Sequence, residues 1–338
     1  MRTTILNLFI LASLPGLSFA GNYEFKIGDS VVGGVDRTQA RYEQTLPDIA
    51  RTHKLGFREI KRANPEVDTW IPGDGQEVIL PKQHVLPVVP HVGIVVNIPE
   101  MRLYYFPKPT DGSTQHVITY PIGIGREGWS TPYMTTTIIQ KTEKPAWHPP
   151  ESIREAHLAE GRPPLPSIVP PGPDNPLGEY AMRLGNPLYL IHGTNRPYGV
   201  GLRVSSGCIR LYPEDIESLF QMTGVGTPVR IVNQPYKVGV LDGNIYLEAN
   251  PYLEEDSESF NGNLTSVVKM LVGLSGDKQY DVDWDLAKQV IDDQSGEPIL
   301  IGRMLDAVMD EYTGNYQDTA VSRNHILDLR LETGIPSR

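Results

Sequence analysis

A chain of 338 residues, 21% charged and 39% hydrophobic, is long enough for more than one core and too apolar to remain disordered. Its formal charge of −11 at pH 7 is gathered at one end, since residues 234–338 hold 19 acidic against 8 basic side chains while the rest is close to neutral. A binder of the nucleic-acid backbone needs a basic face, and none runs through this sequence, so nucleic acid is excluded as the expected partner.

In chain order, residues 1–20 carry one charge, Arg2, then an apolar stretch from Ile5 to Leu17 and Ser18-Phe19-Ala20, with small residues at the two positions that cleavage reads. This pattern predicts a secretory signal peptide removed before Gly21. The apolar run is shorter than the roughly 20 residues a spanning helix needs, so the mature chain is expected without a membrane anchor. Residues 21–86 predict a small α/β module. Leu46, Ile49 and Ala50 share a helical face, Phe57 to Ala63 gives a second short helix, Gly73-Asp74-Gly75 turns the chain, and Glu77 to Pro81 reads as a strand. The Pro-punctuated stretch 83–90 is a linker.

From residue 92 to 233 strands dominate. GIVVNIPEMRLYYF predicts a hairpin turning at Pro99-Glu100, and HVITYPIGIG, TTTIIQK, AMRL, LYLI and TPVRIV predict further strands. Residues 143–178 are Pro-rich and read as one long irregular loop, a length that in a compact domain is usually functional. Pro213, with Glu214 and Asp215 behind it, opens a short helix whose inner face is Ile216, Leu219 and Phe220. The acidic remainder, 234–338, predicts an α+β region, with helices at DWDLAKQVIDD and LIGRMLDAVMDEY and a strand at ILDLRLE.

The chain has one cysteine, Cys208. In an oxidising compartment, where thiols usually pair, a lone Cys is either inert in a core or a working thiol. A thiol attacks only as thiolate and needs a base or cation beside it, and His192 ends the apolar strand Leu188–Ile191 sixteen residues upstream. The glycine-bearing loop between them can reverse the chain, and Gly207 lets the backbone approach a ligand and leaves nearby amides free for an oxyanion.

The string HGTNRPYGVGLRVSSGCIRL resembles the signature of the L,D-transpeptidases, the YkuD-type catalytic domain, in its His-Gly-Thr opening, its glycine-bearing loop and its Ser-x-Gly-Cys-Ile-Arg close. LPDIARTHKLGFREIKRANPEVDTWIPGDGQEVILP resembles a LysM-like module, a fold associated with cell-wall glycan, and together the two look like the periplasmic L,D-transpeptidases of Gram-negative bacteria. The resemblance implies a mainly β catalytic domain: a YkuD-type β-sandwich with mixed sheets and one short helix after the Cys. It implies Cys208 as nucleophile and His192 as general base, with the Gly193 backbone fixing the imidazole tautomer. Amides of Ser206, Gly207 and Cys208 would form the oxyanion hole, and Arg210 would either hold a substrate carboxylate or support the loop. Trp147, His148 and Tyr180 are candidates to line the substrate channel. The implied substrate is a peptidoglycan tetrapeptide stem, attacked at its diaminopimelate carbonyl with release of D-Ala. The acceptor would be a second diaminopimelate, the C-terminal lysine of an outer-membrane lipoprotein, or water. No metal and no cofactor is expected. The competing class is a non-catalytic wall-binding protein working through the LysM-like module.

Two further patterns carry little. Ser266-Val267-Val268-Lys269 matches S-x-x-K, but no K-T-G follows and the segment reads as helix. Asp281, Asp283, Asp285 and Asp292 fall on calcium-loop positions, but Leu286 stands where the loop needs Gly, and a helix with acids near its start explains the pattern better.

Overall fold

Strands Gly93–Asn97 and Arg102–Phe106 pair antiparallel, with Val95 opposite Tyr104, as the hairpin that the apolar run predicts. They sit near the middle of a nine-stranded sheet in a computed structural model that describes residues 21–109, 114–260, 264–276 and 279–305. The segment read as a signal peptide, residues 1–20, and the stretch ILDLRLE lie outside the described residues.

From one edge the sheet runs Asn22–Lys26, Thr114–Pro121, Arg102–Phe106, Gly93–Asn97, Pro228–Val232, Met134–Glu143, Tyr180–Leu184, Leu190–His192 and Ile209–Arg210. Two pairings are parallel, Pro228–Val232 on Gly93–Asn97 and Ile209–Arg210 on Leu190–His192. Met134–Glu143 is long because it serves two partners, pairing with Pro228–Val232 through its first half and Tyr180–Leu184 through its second. A register shift between Ile138 and Gln140 bends the ladder between those halves, which is what a bulge does. Inward-facing Ile94, Val96, Leu103, Met182 and Ile191 form the core with Ile216, Leu219 and Phe220 of the helix Pro213–Met222.

The N-terminal stretch divides. Asn22–Lys26 joins the edge of the large sheet, while Val35–Gln39 and Glu77–Pro81 pair antiparallel around the helices Leu46–Thr52 and Phe57–Ala63. Thr45 and Asp48 cap the first helix reciprocally. Buried Asn64 bonds Ile60 O and Ile79 O and accepts from the Ile79 amide, tying the second helix to the strand. This unit packs on the helix Pro213–Met222 through Arg51–Glu214 and Lys54–Asp215.

The acidic region forms a four-stranded sheet, ordered Tyr236–Leu241, Asn244–Ala249, Ile299–Met304 and Tyr280–Val282, with the helices Thr265–Ser275 and Trp284–Asp293. Asp283, one of the calcium-pattern residues, caps the second helix by accepting from the Leu286 amide at 2.9 Å. The helix expected over LIGRMLDAVMDEY is corrected in its described part. Ile299–Met304 is a strand, paired on both edges, with Ile299 and Ile301 on the core side and Leu300 exposed. Two-residue alternation, not helical spacing, governs that segment.

The Pro-rich stretch 143–178 is also more ordered than a loop. It holds the helix Glu151–Ala159, started after Pro150 and burying no residue, so no apolar stripe announces it. Trp147 and Val169 exchange backbone hydrogen bonds at 2.9 and 2.8 Å and clasp the segment's two arms. Asn175, fully buried, donates to Pro145 O, Val169 O and Pro170 O and accepts from the Leu177 amide. Arg126–Glu160 then ties the helix end to the turn before Trp129.

Candidate active site

Leu190–His192 lies between Tyr180–Leu184 and Ile209–Arg210, with Ala181 and Arg210 flanking His192 in register. Side chains alternate across a strand, so this register fixes what shares a face. Met182, Ile191 and Ile209 go to the core. Ala181, Arg183, His192, Cys208 and Arg210 fall on the opposite face. Since Ile191 pairs with Ile209, Cys208 stands level with Leu190, one diagonal step from His192. With strands about 4.8 Å apart and a rise of about 3.3 Å per residue, such a diagonal step separates the two backbones by roughly 8 Å, a gap that an imidazole and a thiol can span.

His192 is 3% exposed. The Gly193 carbonyl lies 2.6 Å from its Nδ1. A carbonyl only accepts, so the ring proton sits on Nδ1 and Nε2 keeps a lone pair. Burial, reinforced by Arg210, pushes the imidazole pKa down to about 3, against the pull of the Gly193 and Leu177 carbonyls. The ring is therefore neutral at physiological pH. Cys208 is unpaired and partly exposed, and its Sγ contacts the Leu188 carbonyl at 3.9 Å. Burial pushes the thiol up, opposed by the Leu190 amide, Arg210 and Arg183. Burial thus biases both the thiol and the imidazole toward their neutral forms. Alkylation of the free enzyme by iodoacetamide is accordingly expected to be slow at pH 7 and to climb through and beyond pH 9 without a plateau near neutrality, as mass spectrometry across a pH series would show.

The loop before the thiol is held from both sides. Ser205, buried, donates to the Cys208 carbonyl at 2.6 Å. Gly207 has φ 98°, and a Cβ there would stand 2.9 Å from Tyr189 Cε1, so this position requires glycine. Among the described residues, the amides of Ser206, Gly207 and Cys208, all within two residues of the thiol in the chain, have no backbone acceptor. The Arg210 guanidinium has a buried Nε with no partner.

Not every expected residue gathers here. Tyr180 lies on the other face, its ring 4.9 Å from Phe220 and its hydroxyl 3.4 Å from Glu217, so it packs the helix Pro213–Met222 instead of lining a channel beside Cys208. Trp147 belongs to the backbone clasp of the Pro-rich segment, and His148 is exposed. Ser205 and Arg183 are neighbours of the thiol that sequence reading missed. Ser205 had a signal in the Ser-x-Gly-Cys string. Arg183 had only the alternation of AMRL.

Residues 91–231 match the family model described as the YkuD L,D-transpeptidase catalytic domain. The chain is 41% identical over 264 residues to the probable L,D-transpeptidase YbiS of Escherichia coli, covering 76% of this chain and 83% of that one. It is 40% identical over 266 residues to the probable L,D-transpeptidase ErfK/SrfK of Salmonella typhimurium, covering 76% and 82%, and 38% identical over 268 residues to the probable L,D-transpeptidase YcfS of Escherichia coli, covering 77% and 81%. The shared length extends well past the catalytic domain into the flanking units. With a mostly β fold, a histidine-flanked thiol and relatives that match over four-fifths of their own length, the chain belongs to the L,D-transpeptidases, cysteine-dependent acyltransferases.

Proposed function

We propose that Cys208 is the nucleophile and His192 the general base of a peptidoglycan L,D-transpeptidase acting in the periplasm, with no cofactor or metal. The observation that carries this reading is the register that sets a partly exposed thiol diagonally beside a neutral imidazole, with unoccupied amides alongside. His192 Nε2 takes the thiol proton as Sγ bonds to the diaminopimelate carbonyl carbon of a tetrapeptide stem. The developing oxyanion is held by the amides of Ser206, Gly207 and Cys208. Collapse breaks the C–N bond, and His192 returns its proton to the departing D-Ala amine, leaving a thioester on Cys208. An acceptor amine then attacks the thioester carbon and gives up a proton to His192. The C–S bond breaks, and the thiolate recovers that proton. The first peptide bond's energy is kept in the thioester, so no external energy source is needed. Gly193 sets the tautomer through Nδ1, and Arg210 serves a substrate carboxylate. The unit Val35–Pro81 serves as a LysM-like glycan-binding module, and the acceptor is a second diaminopimelate or a lipoprotein's C-terminal lysine.

Incubation with a synthetic tetrapeptide stem tests the reading. The expected result is an intact-protein mass increased by the tripeptide acyl group, one released D-Ala per acyl-enzyme, and discharge on adding either a diaminopimelate peptide or a lysine-terminated peptide. An unchanged mass with folded protein overturns it, and discharge by water alone converts it to a hydrolase.

A further inference from the structure

The face that carries the thiol also carries a concentration of positive charge of which the chemistry above uses only Arg210. Arg183, Arg196 and Arg210 form no ion pair with any carboxylate among the described residues, whereas most other arginines near the catalytic domain do. Arg210 stands beside His192 in register, with its Nε buried and without a partner. Arg183 is opposite Leu190, which is level with Cys208, so Arg183, Leu190 and Cys208 form one row across three strands. Arg183 and Cys208 share a face of that row. Their backbones are two strand spacings apart, about 10 Å, a gap that an arginine side chain can largely close. Nη1 of Arg183 donates to the Pro187 carbonyl at 2.5 Å, which orients the guanidinium. A guanidinium has five donors, so four remain for a ligand. Arg196, on the glycine-bearing loop, lies close enough to Arg210 to act on its charge.

Unpaired guanidiniums around a reactive atom, with no acid facing them, suit a substrate bearing several carboxylates, because Arg forks match carboxylates in pairs. The proposed donor has such groups at two distances from the reacting carbonyl. The terminal D-Ala carboxylate is close, within reach of Arg210, two residues from the thiol. The carboxylate at the far end of the diaminopimelate side chain is remote, and the row across the sheet ends on Arg183.

We propose that Arg183 is a specificity-determining residue that binds the distal carboxylate of the donor's third residue, so that the enzyme takes stems whose distal carboxylate is free and discriminates against those in which it is a carboxamide. The inference rests on the donor assignment made above. It adds a residue and a selectivity to that assignment.

The test compares two donors, the tetrapeptide with a free distal carboxylate and the same peptide amidated there, on the wild-type full chain and on Arg183→Gln and Arg183→Lys. Wild type is expected to acylate with the free acid at least tenfold more efficiently in kcat/KM, with the difference in KM. In Arg183→Gln the preference collapses to within about twofold, because the free-acid donor falls to the level of the amide while the amide is unchanged. Arg183→Lys restores part of it, since the charge remains and the fork does not. Equal rates for the two donors on wild type overturn the proposal. So does an equal fall for both donors in Arg183→Gln, which would mean that the Pro187 bond shapes the loop and no carboxylate is read. Iodoacetamide alkylation of Cys208, which needs no carboxylate, is measured alongside, and both donors' rates are normalised to it, because Arg183 also opposes the rise of the thiol's pKa and its loss slows the thiol equally toward either donor. If neither donor acylates wild type while alkylation is normal, the donor assignment itself is at fault, and with it the role given to Arg183.

Discussion

Replacing Cys208 by alanine is expected to lower transfer by at least about 10⁴-fold, to eliminate the acyl-enzyme mass, and to leave the fold intact. The size of the effect follows from the chemistry. Without the thiol no covalent intermediate forms, and loss of a nucleophile costs several orders of magnitude because the rest of the machinery acts only through it. No second cysteine exists to substitute. The neutrality of the fold follows from the packing. The Cys208 side chain is partly exposed, and its sulfur makes only weak contacts, with the Leu188 carbonyl at 3.9 Å and with the Leu190 amide, so truncation is expected to cost at most about 1 kcal/mol. The loop's own supports, the Ser205 hydroxyl on the Cys208 carbonyl and the tight fit of Gly207 against Tyr189, remain in the variant. Thermal unfolding and a continuous D-Ala release assay would show both halves. Residual transfer within tenfold of wild type, with an unchanged melting temperature, would place the nucleophile elsewhere.

The parts of the molecule that were legible beforehand are those where local pattern and tertiary placement agree. The hairpin 93–106 has apolar strands and a turn at Pro99-Glu100, and the helix after Tyr212 has a proline at its first position and three apolar residues on one face. Where pattern and placement part company, sequence reading fails for identifiable reasons. Ile299–Met304 contains leucine, isoleucine and methionine at spacings that fit either period, and only the two flanking strands decide between them. The helix Glu151–Ala159 buries nothing, so it has no stripe to find. Tyr180 looks like a channel residue because it precedes the site in sequence, but one step of strand alternation turns it to the helix face. Arg183 is hidden by the same alternation, because AMRL reads as a core strand until its third residue is seen to point the other way. The His–Cys juxtaposition depends on a parallel pairing between Leu190–His192 and Ile209–Arg210, which no local signal encodes.

Lys237 is the least legible residue of all, and its replacement by methionine is expected to destabilise the folded chain by about 3–5 kcal/mol. A lysine next to an acidic region suggests a solvated surface. In the structure its side chain is wholly buried, and its ammonium donates to the Val85 carbonyl at 2.6 Å, Glu100 at 2.8 Å and the Tyr104 hydroxyl at 3.3 Å and pairs with Glu248 at 2.9 Å. These partners come from three places: the linker strand His84–Val85, the central hairpin with its turn, and the acidic region's own sheet. The ammonium therefore joins the C-terminal unit to the catalytic sheet. Glu100 also accepts from the Tyr104 hydroxyl and the Asn97 amide, and Glu248 from Asn250 and the Val85 amide. His84, 3.6 Å from Glu100, adds no charge, because burial first, then Arg102 and Lys237, hold it well below its usual range. Removing the ammonium would leave two buried carboxylates facing each other, and that uncompensated charge accounts for most of the cost. The pH dependence has a definite sign. Burial already pushes Glu248 up to about 7 even with Lys237 beside it, and losing the cation pushes it further. A carboxyl whose folded pKa lies above its unfolded value stabilises when protonated, below the unfolded pKa, and loses that contribution as pH rises through the folded value. The deficit of Lys237→Met relative to wild type is therefore expected to be full at pH 8 and to shrink toward pH 5.5, where protonation removes the repulsion. Urea unfolding at the two pH values measures it, and the triple variant Lys237→Met, Glu100→Gln, Glu248→Gln should regain much of the stability at pH 8. A pH-independent deficit, unrelieved by the two glutamines, would mean that Lys237 acts by filling space and that the charge network does not hold the two units together.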